Sequence, residues 1–223
     1  MYIGVDIGGS HISCAIVDAT NLSIHENLIF ELSVSSQDEP DKIIKAWKSA
    51  IDQTINLYPN VKGIGIAIPG PFDYSRGISL LQDGNKYDSL FGLNIKEIIR
   101  QIINCIDIPI VFENDASCFA LGEYFAGAAQ GYKRALIITL GTGLGSTFIA
   151  DSIIQKTAGN GVPQDGYLYN MPFKDGVGDD YFSTRWFVSK WEKLTGEKVS
   201  GAKMIAEQAM AGNSKALVLF DQF

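Results

Sequence analysis

One pattern occurs twice in this chain: an apolar strand, a turn of glycines and hydroxyl side chains, and a second strand. The first copy spans residues 1–17 with its turn at 7–11, and the second spans residues 135–150 with its turn at 141–146. Glycines adopt backbone angles closed to other residues, so successive N–H groups in such a turn can converge on an anion such as phosphate. Each turn alone is equally well explained as a plain hairpin. Together they predict two similar domains, between which a nucleotide would bind.

A second feature is the joint between a buried strand and a helix near the middle of the chain. The strand is predicted to end at residues 110–112 and the helix to span 116–126, so Glu113, Asn114 and Asp115 lie at the joint. Open α/β sheets bind ligands at the carboxyl ends of their strands, and Asp115 suits a ligand that carries hydroxyl groups. The alternative is an ordinary helix N-cap, in which Asn114 or Asp115 accepts hydrogen bonds from the first turn.

The composition restricts the partners of the chain. Its 223 residues carry a net charge of -7 and no basic stripe, which argues against nucleic acid or an anionic membrane surface as a partner. Three cysteines without metal-ligand spacing, Cys14, Cys105 and Cys118, fit buried or free thiols in a reducing compartment. Asp6 and a double glycine interrupt the N-terminus where a signal peptide needs an apolar core, and no apolar run is long enough to span a bilayer. We therefore expect a cytoplasmic protein.

The remaining segments are predicted as strands and amphipathic helices, which makes this an α/β chain. Helices are expected over residues 41–58, 94–104, 203–210 and 215–223. A strand over residues 61–68 ends abruptly in a loop of two prolines around Gly70. Such a loop is stiff and exposed, and it either lines a ligand or only turns the chain.

Four short blocks carry a family resemblance. They are DIGGS at residues 6–10, IPGP at 68–71, ENDA at 113–116 and GTGLGS at 141–146. In this order they resemble the ROK family of repressors, open reading frames and sugar kinases, within the actin, hexokinase and Hsp70 superfamily. Any one block is weak evidence, but the four together are specific, and they cover the chain through Ser146.

The resemblance implies two RNase H-like domains of the actin-like ATPase type, residues 1–115 and 116–223, that flank a cleft, with the second incomplete at its C-terminus. ATP and Mg²⁺ would bind on one side of the cleft, and a hexose at its base. Asp6 would hold Mg²⁺ through water. The phosphates would face Gly8, Gly9 and Ser10 and, in a second loop, Gly141, Thr142 and Gly143.

The resemblance also implies roles on the sugar side. Asn114 would bond sugar hydroxyls, and Asp115 would accept the proton from the hydroxyl that attacks the γ-phosphate. The N-cap role of Asp115 remains an alternative, and one carboxylate can serve both purposes. Gly70 and Asp179 are further sugar-contact candidates, and Asp179 is equally plausible as the cap of the helix through Trp191.

The chain departs from the family pattern beyond Ser146. It lacks the Glu and His pair that follows the second phosphate loop, and it lacks the cysteine cluster that binds zinc, so we expect no structural zinc. Gln164 and Asp165 are candidate substitutes for the pair, and the identity of the sugar cannot be carried over. The sequence also stops at Phe223, before the family's adenosine-binding part, which predicts low solubility or a capping partner for an exposed core edge.

These observations favour an ATP-dependent kinase of a hexose or N-acetylhexosamine, with a small-molecule sugar as partner and a homodimer as an open option. The alternative is a noncatalytic sugar-binding or regulatory protein on the same scaffold. Family repressors carry a helix-turn-helix before the first strand, whereas this sequence starts directly at that strand. Fold does not decide between the two classes, and the intact Asp6 and Asp115 favour chemistry.

Overall fold

The computed structural model describes residues 1–82, 86–103 and 108–223, which form a mixed α/β structure. It divides into two compact units, Met1–Ala126 and Gly127–Phe223. The domain boundary predicted after Asp115 is a different division of the chain, and it stays a prediction. Cys105 and the last residue of the helix predicted over 94–104 lie outside the described residues.

The first unit contains seven strands and three helices in its described part. In chain order they are β1 (Tyr2–Ile7), β2 (His11–Asp18), β3 (Ser23–Ser33), α1 (Pro40–Leu57), β4 (Ile64–Ile68), β5 (Phe72–Asp73), β6 (Ile78–Ser79), α2 (Ile95–Ile103), β7 (Ile110–Asn114) and α3 (Asp115–Ala126). Five strands form one sheet in the order β3-β2-β1-β4-β7. The strands β1, β2 and β3 are antiparallel, whereas β1, β4 and β7 are parallel. Because β1, β4 and β7 run in the same direction, their carboxyl ends lie side by side at the same end of the sheet.

The core of the first unit follows from the period of its apolar residues. Alternate residues of β1, such as Ile3 and Val5, are buried, and β4, a central parallel strand between β1 and β7, is buried along nearly its whole length. Helix α1 starts at Pro40, which suits a first helical turn, and it packs Trp47 and its neighbouring apolar residues into the core. Full burial of an aliphatic side chain of this helix, such as Ile43, contributes roughly 1.5–3 kcal/mol to folding. The amphipathic helix predicted over residues 41–58 is confirmed.

The second unit contains a short sheet and a helical cluster. Its elements are β8 (Arg134–Leu140), β9 (Leu144–Ala150), β10 (Ile153–Gln155), β11 (Pro172–Phe173), β12 (Gly176–Val177), α4 (Gly178–Tyr181), α5 (Thr184–Thr195), α6 (Ala202–Met210) and α7 (Ser214–Gln222). Strands β8, β9 and β10 form an antiparallel sheet, and Trp186, Phe187 and Trp191 of α5 lie in a separate apolar core with α6 and α7. The helices predicted over 203–210 and 215–223 are confirmed.

The second glycine turn is shorter than the sequence suggests. The returning strand was expected from residue 147, but β9 begins at Leu144, which pairs with Leu140 across the hairpin. The apolar Leu144 is buried, so it extends the strand and leaves only residues 141–143 in the turn. In the described part of the chain, no helix combines the length and the apolar character needed to cross a bilayer.

Candidate functional site

The three parallel strands of the first unit, β1, β4 and β7, each end next to predicted site residues. Asp6 of β1 is in register with Ala67 of β4, and Ala67 is in register with Glu113 of β7. Because these three strands are parallel, the residues that follow them emerge at the same edge, as expected for a ligand site in an open sheet. The predicted joint at 113–115 and the first glycine turn therefore lie at the same end of the sheet.

At the joint, two neighbouring polar side chains make different hydrogen bonds. Asn114 Oδ1 accepts from the backbone N–H of Ser117 at 3.2 Å, so Asn114 is the cap of α3. Asp115 Oδ1 accepts from Asn114 Nδ2 at 3.0 Å and from the N–H of Ala116 at 2.9 Å. Among the described residues, no hydrogen bond reaches Asp115 Oδ2, and the side chain is exposed. One oxygen orients this carboxylate while the other remains available to a ligand.

Asp6 lies in the electrostatic field of two neighbours. Its pKa is raised, chiefly because protein atoms desolvate the carboxyl, while His11 lowers the pKa and the negative charge of Asp115 raises it. The two carboxylates are thus close enough to repel each other, and a cation bound between them and an anionic ligand would relieve that repulsion. The structure also places the ring of His11 beside Gly8.

The first glycine turn accepts a hydrogen bond from a buried tyrosine that the sequence did not predict. The hydroxyl of Tyr87 donates to the carbonyl of Gly8 at 2.5 Å, and the N–H of Ser36 donates to the carbonyl of Gly9 at 3.3 Å. Burial raises the pKa of Tyr87 to about 12, with Asp6 adding to the effect, so the hydroxyl keeps its proton at neutral pH. Both carbonyls are occupied on the protein side of the turn.

A side chain at either glycine of this turn would displace a neighbouring side chain. A Cβ at Gly8 would lie 2.9 Å from the ring of His11, and one at Gly9 would lie 2.9 Å from Cε of Lys86. The backbone there is therefore lined closely by other groups, which fits the cradle expected for a phosphate. Ser10 is exposed, and its hydroxyl lies 3.4 Å from Nδ1 of His11.

The side chains at this site fit a Mg²⁺ ion that binds together with a phosphate ligand better than a metal ion held by the protein alone. Magnesium retains most of its waters and usually binds proteins through one or two carboxylates together with substrate phosphates. Within residues 1–82, 86–103 and 108–223, no group of three acidic, histidine or cysteine side chains is placed to hold a metal. A single carboxylate, Asp6, at the glycine turn suits contact through water.

Gly70 lies beside another tyrosine for which the sequence contained no signal. A Cβ at Gly70 would approach the hydroxyl of Tyr74 to 3.0 Å. That hydroxyl donates to the carbonyl of Ile68 at 3.4 Å and accepts from Asn114 Nδ2 at 3.3 Å. Tyr74 therefore connects the loop after β4 with the cap of α3.

In the second unit, the glycine turn is bound at both ends by the corner between α4 and α5. The carbonyl of Gly141 accepts from the N–H of Thr184 at 2.8 Å. The N–H of Leu144 donates to Asp179 Oδ1 at 2.6 Å, and a Cβ at Gly143 would lie 2.9 Å from the same oxygen. This corner fixes the conformation of residues 141–143.

Both carboxylate oxygens and the backbone carbonyl of Asp179 are bonded to groups of this corner and its glycine turn. Its second oxygen pairs with the guanidinium of Arg185, and its backbone carbonyl accepts from the hydroxyl of Ser183 at 2.8 Å. Ser183, not Asp179, is the N-cap residue of α5, and its side chain makes no capping bond. The sugar-contact role of Asp179 stays a prediction beside this observed contact with the turn.

The candidate substitutes Gln164 and Asp165 lie in a short 3-10 helix, Gln164–Gly166. Gln164 Nε2 donates to Asp165 Oδ1 at 3.1 Å, so the two side chains pair with each other. The segment is anchored by Ser146, whose hydroxyl donates to the carbonyl of Gly166 at 2.8 Å and accepts from the N–H of Leu168 at 2.9 Å. Ser146 is thus a structural partner of this segment.

Comparison with known proteins matches this architecture to one family. The family model of the ROK family matches residues 2–173, so the chain belongs to the ROK family. A glucokinase from Streptomyces coelicolor is 28% identical over 174 residues, 76% of this chain and 50% of that protein. The N-acetylgalactosamine kinase AgaK from a Shewanella species is 31% identical over 68% of this chain and 46% of its own length. A xylose repressor from Caldicellulosiruptor bescii is 24% identical over 78% of this chain and 42% of its own length.

The fold is also that of solved sugar kinases. The structure of a ROK family glucokinase from Streptomyces griseus, in complex with glucose and AMPPNP, superposes with a TM-score of 0.70 at 27% identity. That match covers 96% of this chain and 72% of the other. The chain spans about half the length of the curated relatives it matches.

Proposed function

We propose that this chain is an ATP-dependent sugar kinase that phosphorylates a hydroxyl of a hexose or an N-acetylhexosamine. The observation that carries the proposal is the state of the Asp115 carboxylate. One oxygen is oriented by Asn114 and the N–H of Ala116, and the other has no hydrogen-bond partner in the described structure, at the sheet edge that also carries Asp6. Glucokinase and N-acetylgalactosamine kinase relatives support the class of reaction.

Asp115 serves as the general base in this proposal. A carboxylate within hydrogen-bond reach of a sugar hydroxyl can accept its proton as the oxygen attacks the γ-phosphate. Asn114 holds this carboxylate and caps α3, so it positions the base in addition to any contact with the sugar. Gly70 and Asp179 are the other proposed sugar contacts.

The phosphate side of the proposal rests on backbone groups and one carboxylate. Phosphoryl transfer depends mainly on positioning and on neutralising charge. We assign the phosphates to Gly8, Gly9 and Ser10, and a second phosphate loop to residues 141–143, each turn being stabilised within its own unit. Magnesium, held through water by Asp6, would supply positive charge to the phosphates.

We also infer the fold type of the first unit and the cellular location of the chain. The order β3-β2-β1-β4-β7, with three antiparallel strands followed by two parallel ones, supports an RNase H-like first domain. The unoxidised, buried thiol of Cys14 supports a cytoplasmic location. A small-molecule sugar is the partner, and the acidic net charge of -7 weighs against nucleic acid.

Transfer of labelled γ-phosphate from magnesium ATP to a panel of hexoses and N-acetylhexosamines tests the proposal. We expect transfer to one sugar class, reduced by about 100-fold or more in Asp115→Asn, the usual range for removing a general base. Asp151→Asn is the matched control, because Asp151 is exposed in a left-handed conformation that asparagine tolerates. Equal rates for Asp115→Asn and wild type would remove Asp115 from the chemistry.

The second candidate is a noncatalytic sugar-binding or regulatory protein, favoured by the similarity to the xylose repressor. It predicts that the chain binds a sugar without transferring phosphate to it. Calorimetric titration with the same sugar panel separates the two functions. Binding without transfer from ATP would support the regulatory protein and contradict the kinase.

A further inference from the structure

Lys86 crosses the first glycine turn. If Gly9 carried a Cβ, that atom would lie 2.9 Å from Cε of Lys86, 3.3 Å from Cδ and 3.6 Å from Cγ. The approach is closest at Cε, and Nζ, one bond beyond it, is farther from this position than the three stem atoms. The aliphatic stem of Lys86 therefore passes over Gly9, with the ammonium beside the turn.

The position of Lys86 is fixed by the residue that follows it. Tyr87 is fully buried, its N–H donates to the carbonyl of Ser36 at 2.8 Å, and its hydroxyl donates to the carbonyl of Gly8 at 2.5 Å. Its ring packs edge-on against Trp47 with centroids 5.5 Å apart. Since Ser36 also bonds Gly9, the backbone next to Lys86 and the turn belong to one hydrogen-bonded frame.

The ammonium of Lys86 is available to a ligand. Among the described residues no carboxylate pairs with it, although Lys86 is only partly exposed. The charged groups that act on Asp6 are His11 and Asp115, so two carboxylates lie close together at this end of the sheet. An anionic ligand at the turn needs a positive group, and lysine binds phosphate as a point charge on a flexible stem.

We propose that Lys86 is a phosphate-binding residue of the first glycine turn, contacting the phosphate oxygens of the nucleotide that lie over Gly9. This inference rests on the proposed kinase function and deepens it by assigning the positive side chain that the glycine turn itself lacks. The ligand class is a magnesium-bound di- or triphosphate. No sequence signal marked this residue, because residue 86 lies far from the turn in the chain.

Calorimetric titration of the full chain with magnesium ATP and with magnesium tripolyphosphate tests the inference without relying on turnover. Tripolyphosphate presents the phosphate chain without adenosine, so it isolates the contribution of the turn. We compare wild type with Lys86→Met, which keeps an apolar stem, and Lys86→Arg, which keeps the charge. Lys45→Met is the matched control, because Lys45 is an exposed lysine of α1 in the same unit.

We expect Lys86→Met to weaken binding of both ligands by about 10-fold, the usual effect of losing a hydrogen bond to a charged group. Lys86→Arg should recover most of this loss, and Lys45→Met should bind as wild type does. The loss should shrink as salt is raised, because salt screens the charge of an exposed ammonium. Equal thermal unfolding midpoints for the variants would exclude a purely structural effect.

The outcomes separate this inference from the proposed function. If wild type binds both ligands and Lys86→Met binds them equally well, Lys86 has no phosphate contact, while the kinase proposal stands. If Lys86→Met and Lys86→Arg lose binding equally and unfold at a lower temperature, the residue supports the turn only through packing, and the inference is overturned. If wild type binds neither ligand, both the inference and the kinase proposal fail.

Discussion

At the scale of single residues, the helix cap and the proposed general base are two different side chains. Asn114 and Asp115 are adjacent polar residues at a helix start, and either could cap the helix from sequence alone. The structure gives the cap to Asn114, whose Oδ1 reaches the N–H of Ser117. This leaves the outer oxygen of Asp115 for a ligand, and that single difference makes the joint a candidate active site.

The negative charge of Asp6 lowers the stability of the fold, although the proposed function requires that charge. Its pKa is raised above 3.8, mainly by desolvation, so the folded state holds the proton more tightly than the unfolded chain. By linkage, the carboxylate costs no stability well below pH 3.8, and its cost grows as pH rises through the folded pKa and persists at neutral pH. We predict that Asp6→Asn raises the thermal midpoint at pH 7 by about 1–3 °C, a small surface effect, and leaves it unchanged at acid pH.

The same substitution should remove the proposed magnesium contact. Asp6→Asn is therefore expected to lower phosphate transfer by about 100-fold while the protein becomes slightly more stable. Thermal scans at several pH values, beside the transfer assay, check both parts. A lower midpoint at pH 7 would show that Asp6 stabilises the fold, contrary to the direction of its pKa.

At the scale of elements, each glycine turn is shaped by a segment distant in sequence. The first turn is held by Tyr87, 79 residues from Gly8, and the second by the corner between α4 and α5, through Asp179 and Thr184. A glycine turn is flexible by itself, so its amides present a fixed array only when its carbonyls and flanks are bound. We regard these supports as the parts that convert two hairpins into candidate phosphate loops.

The Asp179 contact gives a prediction that separates two roles for this residue. Asp179→Ala removes both the acceptor for Leu144 and the partner of Arg185, whereas Asp179→Asn retains an acceptor oxygen and loses the charge. If Asp179 positions the turn, the alanine variant should raise the KM for ATP by about 10-fold, and the asparagine variant should raise it less. Steady-state kinetics with ATP and sugar varied in turn makes the measurement. A change confined to the KM for sugar would instead support the sugar contact predicted from sequence.

Sequence and structure agree where the signal is local. Three features were predictable: the strand and helix around 113–115, the amphipathic helix α1 and the two glycine hairpins. They depend on the period of apolar side chains and on turn residues, which are recognised within a short window of sequence. Tyr74, Tyr87 and Lys86 were not predictable, because their contacts join segments far apart in the chain. The start of β9 was placed too late, since burial of Leu144, which the local pattern does not reveal, extends the strand.

At the scale of the whole molecule, the two units have separate apolar cores built on different principles. The first is a sheet core that includes Trp47 and Tyr87, and the second is a helical cluster around Trp186 and Trp191. Each unit carries one strand, glycine turn and strand hairpin, β1–β2 in the first and β8–β9 in the second. The repeated hairpin found in the sequence is thus a repeated element in the structure, with unlike surroundings in each unit.

The cysteines report on the opening of the first unit. Cys14 is completely buried in β2, and burial raises the pKa of its thiol to about 12, so the reactive thiolate is scarce and inaccessible in the native protein. Cys118 of α3 is partly exposed. We predict that a maleimide at pH 7.5 labels Cys118 at least 100-fold faster than Cys14 in the folded protein, and that denaturant makes the two rates similar. Peptide mass spectrometry after timed quenching distinguishes the sites.

Because labelling of Cys14 requires β2 to separate from its neighbours, its rate measures the equilibrium opening of the sheet that carries Asp6. A sugar or magnesium nucleotide that binds the native site should therefore slow labelling of Cys14 in proportion to its saturation, and labelling as fast as that of Cys118 would contradict the buried position of β2.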